Sequence, residues 1–155
     1  MIDRLYRVAY RGAYQMMRVY WAVMKPQVHG ALVAIWHNGE ILLVKNSYVR
    51  YYSLPGGYVH RNETGRAAAI RELIEETGIR ASASELRLAL DHQHDWEGKR
   101  EHVEIFELEV ATRPTIKVDN REVVEATFFP PKKALELELF EPLRKVIEKR
   151  VSEAN

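Results

Sequence analysis

The 155-residue sequence contains no cysteine. That excludes a disulfide scaffold, a thiol nucleophile and any cysteine-ligated zinc or iron–sulfur centre. It fits a reducing compartment. Net charge is nearly absent as well, at +1 with neutral histidines, which argues against a general nucleic-acid footprint. No long apolar run exists. Arg11 and Arg18 interrupt the one candidate near the start, and a membrane span needs ~20 mostly apolar residues. The blocks Gly12–Met17 and Val19–Met24 are each shorter than the apolar core of about 7–15 residues in a secretion signal. The expectation is a cytoplasmic protein without membrane association. Internal repeats and low-complexity linkers are also lacking. What is present, 46% hydrophobic and 29% charged residues, is ordinary for one globular domain.

The small net charge hides an asymmetry. Residues 1–25 carry five basic side chains against Asp3, a balance of +4, and the rest of the chain sums to −3. Residues 2–24 read as a helix, with Arg4, Arg7, Arg11 and Arg18 on one stripe and apolar or aromatic residues elsewhere. Pro26 stops the pattern. The organisation is therefore a basic, aromatic helical extension over residues 1–25 and a domain over residues 26–155. The extension is expected to pack on its own domain or to join a homodimer; a membrane-surface role is the alternative.

Within the domain, Val28–Trp36 and Glu40–Lys45 read as strands around Asn38-Gly39, a strong hairpin signal. Residues 46–63 form a loop containing Pro55, Gly56 and Gly57. Residues 64–77 carry a helix pattern ended by Gly78. Leu86–Leu90 and Val103–Val110 read as strands separated by a polar segment around Asp95–Arg100. A strand at Val123–Phe129, a short helix and a longer one near Phe140–Val151 close the chain. The mixture predicts an α/β (α+β) domain with a mixed sheet between helices.

The helix at 64–77 concentrates acid. Ile70, Leu73, Ile74 and Thr77 share a face that reads as core, and Glu72, Glu75 and Glu76 lie opposite. Three carboxylates at i, i+3 and i+4 repel one another near a helix end that disfavours negative charge. A divalent cation relieves both, and all-oxygen ligands suit Mg²⁺ or Mn²⁺.

The segment from Gly57 to Ile79 spaces Gly57, Glu63, Arg71-Glu72-Leu73, Glu75-Glu76 and Gly78-Ile79 so that it resembles the Nudix box, G-x5-E-x7-R-E-U-x-E-E-x-G-U, at every fixed position. The resemblance covers about residues 28–150 and implies a Nudix-type fold: a mixed sheet sandwiched between helices, here with an extra N-terminal helix. It implies a metal-dependent hydrolase that cleaves a nucleoside diphosphate derivative, a small-molecule substrate. By the same resemblance Glu72, Glu75, Glu76 and the Gly56 carbonyl are metal positions, with Glu72 also a base, and Glu63 and Arg71 form a structural pair. Glu122 and Glu125 resemble the family's later glutamates; Glu122 is the first choice as ligand or base. His60 and Asn62 depart from the common pattern, and Asn62 tolerates left-handed backbone.

Substrate contacts are expected from Tyr48, Arg50, Tyr51 and Tyr52 before the glycine loop. Asp91–Trp96 adds candidates, with Trp96 stacking on a base and Glu125 beside it in rank. His92, His94 and His102 have the ligand chemistry of a zinc site but no fourth ligand, so no zinc site is expected there. Two other functions compete: an RNA 5′-end pyrophosphohydrolase, and a silent Nudix-like regulator that binds nucleotide.

Overall fold

The computed structural model describes residues 2–116, 118 and 120–153. Strands β1 (Gln27–His37) and β2 (Glu40–Asn46) meet at Asn38-Gly39, where φ is +49° and +79°, the tight hairpin turn that Asn-Gly favours. They pair only at the tip, Trp36 with Ile41 and His37 with Glu40. Beyond it they splay, and the glycine loop enters the gap. Ser53 bridges to Val44, the Val33 N–H donates to the Pro55 carbonyl at 2.9 Å, and the short β3 (Gly56–Tyr58) pairs with Gly30–Leu32.

β4 (Arg87–Trp96) and β5 (Lys99–Glu109) form a long hairpin, and β6 (Val123–Phe129) lies antiparallel on β2. β5 runs parallel to β1 from Gln27–Arg100 to Trp36–Glu109. The sheet order is β4-β5-β1-β2-β6, with β3 beside β1. Successive side chains of a strand point to opposite faces. Ala31, Val33 and Ile35 therefore join Leu42 and Phe106 under α2 (Gly65–Thr77). Ala34 and Trp36 join Ile41, Leu43 and Ile105 under α3 (Pro131–Ala134) and α4 (Glu141–Glu153), which supply Ala134, Leu143, Val146 and Ile147. The sheet is thus covered on both faces. Helix α1 (Ile2–Met24) lies outside these layers, and no helix among the described residues is long and apolar enough to cross a membrane.

Three expectations change. The polar segment Asp95–Arg100 does not separate the strands: Asp95 pairs with Arg100 and Trp96 with Lys99, leaving only Glu97-Gly98 as the turn, at φ +50° and +83°. Cross-strand pairing carries polar residues that alternation alone assigns to a loop. The loop at 46–63 holds a strand, β3, whose three residues are too few for periodicity to reveal. Ile74 is 37% exposed rather than core. Gly65, Ala68, Ala69 and Leu73 are the buried α2 residues, and these small side chains let the helix approach the sheet. The contact face is thereby rotated toward Glu72 and Glu76.

Candidate active site

The site begins with how α2 is held. Thr64 caps its N-terminus, accepting the Ala67 N–H at 3.2 Å. Gly78 ends it at φ +74° with its N–H on the Ile74 carbonyl. The preceding loop turns at Asn62, whose φ is +66°. Arg71 then fastens the loop to the helix. Its Nε and Nη2 donate to Glu63 at 3.1 and 2.9 Å, and Nη2 also donates to the Tyr58 carbonyl at 3.1 Å. The hydrogen bonds from Arg71, with the His60 N–H, lower the Glu63 carboxyl to about 2. Arg71 is held still more firmly protonated.

The glycine loop meets the acids at close range. Gly56 has φ +147°, and a Cβ there would overlap the Ala31 carbonyl. Its N–H donates to Glu76 Oε2 at 2.9 Å. A Cβ on Gly57 would overlap the Glu72 carboxylate, which also bonds Arg71. Glu75 is more open, 3.8 Å from Arg71. Glu122 joins from the start of β6: its carbonyl accepts the Ser47 N–H at 2.7 Å, and its Oε1 accepts the Tyr48 hydroxyl at 3.1 Å.

Glu76 is open to solvent at one side but ringed by protein on the others. That desolvation raises its carboxyl to about 7, opposed by the Gly56 N–H and reinforced by Glu72, Glu122 and Glu75. The carboxylates thus share a field, and among the described residues Glu76 is given a backbone N–H but no ion pair.

These groups line a cleft of about 580 Å³, together with Gly56, Gly57 and His60. Aromatic rings line the same cleft: Tyr14 and Trp21 from α1, with Tyr51, Trp96 and Phe140 from the domain. Trp96 stands edge-on to Tyr51 and Phe140, at ring separations of 5.7 and 5.5 Å. Lys99 is only 6% exposed. Its ammonium lies 4.3 Å from the Trp21 ring centre, 3.3 Å from the Glu101 carboxylate and 3.3 Å from the Tyr58 hydroxyl. Burial pushes its pKa down, but Glu101 and Tyr58 outweigh that and the net shift is upward.

The cleft therefore gathers Gly56, Glu72, Glu75, Glu76, Glu122, Tyr48, Tyr51 and Trp96 from the sequence-derived candidates. It leaves out Arg50, Tyr52 and Glu125. Neighbours in an extended segment point opposite ways, so Tyr51 enters the cleft while Tyr52 packs on Phe129 and donates to Glu125 at 2.9 Å. Arg50 is exposed and does not line the cleft. The histidine cluster also fails to converge. Register sets His102 opposite Gln93, so it falls on the face away from His92 and His94, stacked on His29 and bonded to Asp91. Tyr14, Trp21, Lys99, Glu101 and Phe140 were not anticipated. A buried lysine two residues before a glutamate gave no signal, and α1 read as an extension outside the domain.

Among the described residues, no group of three His, Asp or Glu side chains is close enough as it stands to hold a metal ion. Glu72 is turned to Arg71 and Glu76 to the Gly56 amide. The donor chemistry nevertheless fits a hard divalent cation. It is all oxygen, it lines one cleft, and Glu76, raised first by desolvation and further by Glu72, Glu122 and Glu75, is a carboxyl whose charged form a cation would favour.

A family model described as NUDIX domain matches residues 26–150. A Bacillus subtilis (strain 168) protein provisionally named an 8-oxo-dGTP diphosphatase is 45% identical over 56 residues, 36% of this chain. Nucleoside diphosphate-linked moiety X motif 6 of Xenopus laevis is 38% identical over 63 residues, 39% of this chain. The matches span only 38% and 29% of those two proteins. The crystal structure of a MutT protein from Methanosarcina mazei Go1 superposes with a TM-score of 0.70 at 23% identity, covering 86% of this chain and 99% of that one. At that identity the likeness speaks for the fold.

Proposed function

Because the chain belongs to the NUDIX domain family over residues 26–150, we propose that it is a hydrolase that cleaves the phosphoric anhydride of a nucleoside diphosphate derivative, dependent on Mg²⁺ or Mn²⁺. One observation carries this reading. A single cleft is lined by the α2 carboxylates, the glycine loop and a set of aromatic rings, which matches a ligand with a charged diphosphate and a flat base.

Glu72, Glu75, Glu76 and the Gly56 carbonyl would hold the cation, with Glu122 beside them. When bound, such an ion neutralises phosphate oxygens and acidifies water. The protein's own groups do the rest. Arg71 and Glu63 fix the loop, so the Gly56 and Gly57 backbone meets the diphosphate at a set position. The Tyr48 hydroxyl orients the Glu122 carboxylate, which takes a proton from the attacking water. Water oxygen bonds to one phosphorus, the bridging P–O bond breaks, and the departing phosphate carries away the electron pair. Trp21, Tyr51 and Trp96 hold the base by ring contact. Positioning and charge compensation supply the rate, as in other phosphoryl transfers.

A panel of nucleoside diphosphate derivatives, with a 5′-triphosphorylated RNA as a further arm, tests the reading. Turnover of a small nucleotide that needs Mg²⁺ or Mn²⁺ supports it. Turnover of the RNA alone favours the end-processing function. Tight nucleotide binding with no turnover on any substrate favours the regulator.

A further inference from the structure

Helix α1 is amphipathic in the opposite sense to an ordinary surface helix. At 100° per residue, Arg4, Arg7, Arg11 and Arg18 fall within about a 60° arc, and that arc faces the domain. Arg7 Nε donates to the Asn120 carbonyl at 2.7 Å and Arg11 Nε to the Ser47 carbonyl at 3.0 Å. Arg18 lies 4.0 Å from Glu97, which Tyr14 also bonds. Trp21 is the one α1 residue buried, and the backbone at Ala22 lies against Gly98, where a Cβ would sit 2.9 Å from it.

The apolar arc is left outward. Of thirteen exposed large hydrophobic side chains among the described residues, ten belong to α1, with Leu5 at 68%, Met16 at 75% and Val23 at 75% exposure. No charged residue interrupts that arc. Its area is on the order of 1,000 Å², counting half or more of each side chain. The largest apolar patch of a monomer is typically about 300–600 Å², and a stable interface buries about 800 Å² on each partner.

The middle of the arc is a notch. Ala9, Gly12 and Ala13 fall there, at the midpoint of a helix running from residue 2 to 24. Glycine is the poorest helix former after proline, and among the described residues, its own turn of helix aside, nothing lies within 4 Å of where a Gly12 Cβ would be. Inside one chain the notch has no use. A twofold axis through it brings the same notch of two helices together, so the backbones approach closely while Leu5 and Val8 of one copy meet Met16 and Val19 of the other. A lipid surface rewards bulk rather than a notch. The tryptophan best suited to anchor in lipid is turned into the cleft instead.

We propose that α1 is the dimerisation element of this protein: two copies pair through their outward apolar faces about a twofold axis at Gly12. The pairing clamps α1 onto each domain and so holds Tyr14 and Trp21 in place in each cleft.

Sedimentation equilibrium on the full chain tests this. The expected mass is twice 18.1 kDa at micromolar concentration. Leu5→Glu with Val19→Glu is expected to give a monomer with unchanged circular dichroism, the dissociation constant rising by about 100-fold or more. Gly12→Leu separates helix stability from pairing: it favours the helix but fills the notch, and is expected to weaken pairing about tenfold. A wild-type monomer at tens of micromolar overturns the proposal. So does either variant dimerising as tightly as wild type, or a monomer that binds phosphatidylcholine–phosphatidylglycerol vesicles in place of a second copy.

Discussion

A methyl group at Gly57 would stand where the Glu72 carboxylate now lies. Gly57→Ala is therefore expected to displace Glu72 and cut kcat by about 10- to 100-fold, since displacements near 1 Å carry such costs, while thermal stability changes little. Steady-state kinetics beside a melting curve checks both halves. The Glu63 carboxyl, held at about 2 by Arg71 and the His60 N–H, gives a pH signature. A carboxyl with a lowered folded-state pKa contributes stability that is complete above its unfolded value, near 4.5, and is lost as pH falls through the folded value. The melting-temperature gap between wild type and Glu63→Gln should stay constant from pH 7 to about pH 5. It should then shrink toward pH 2. These residues were legible because helical period and fixed spacing bind them into one 23-residue segment. Lys99 and Glu101 were not: they matter only because register turns them into a cleft that other segments line.

At the scale of elements, α2 and its loop act as one piece. Thr64 supplies a side-chain cap, so Thr64→Ala is expected to cost about 1 kcal/mol, read from denaturant unfolding, with KM nearly unchanged. The helix was predictable in extent but not in rotation. A periodic pattern shows which residues share a face, whereas Ala68 and Ala69 win the contact with the sheet because they are small. That rotation brings Glu72 and Glu76 toward the glycine loop. The β1–β2 hairpin was legible from Asn38-Gly39, while its splay was not. The gap exists because β3 and Pro55 take up hydrogen bonds that β2 would otherwise make, a long-range exchange that strand propensity does not record.

At the scale of the whole molecule, the cleft joins two parts of different origin. The carboxylates and the glycine loop lie within the residues of the family match. The aromatic lining draws Tyr14 and Trp21 from α1, before those residues begin. On the proposed function, base recognition would therefore depend on a helix that the box does not specify. If the cleft binds a nucleotide as proposed, Trp21→Ala is expected to raise KM roughly tenfold with kcat nearly unchanged, because Trp21 lines the cleft from outside the carboxylate helix. Equal loss of kcat would instead place Trp21 near the chemistry. The central claim is that the α2 carboxylates hold the ion that hydrolysis requires. Its most direct measurement is the initial rate on the best nucleoside diphosphate derivative, titrated with Mg²⁺ and Mn²⁺, for wild type and Glu76→Gln. The rate is expected to vanish with chelator, to saturate with metal, and to fall about 100-fold or more in the variant. A wild-type rate indifferent to chelator, or a Glu76→Gln enzyme with unchanged metal response and turnover, would contradict it.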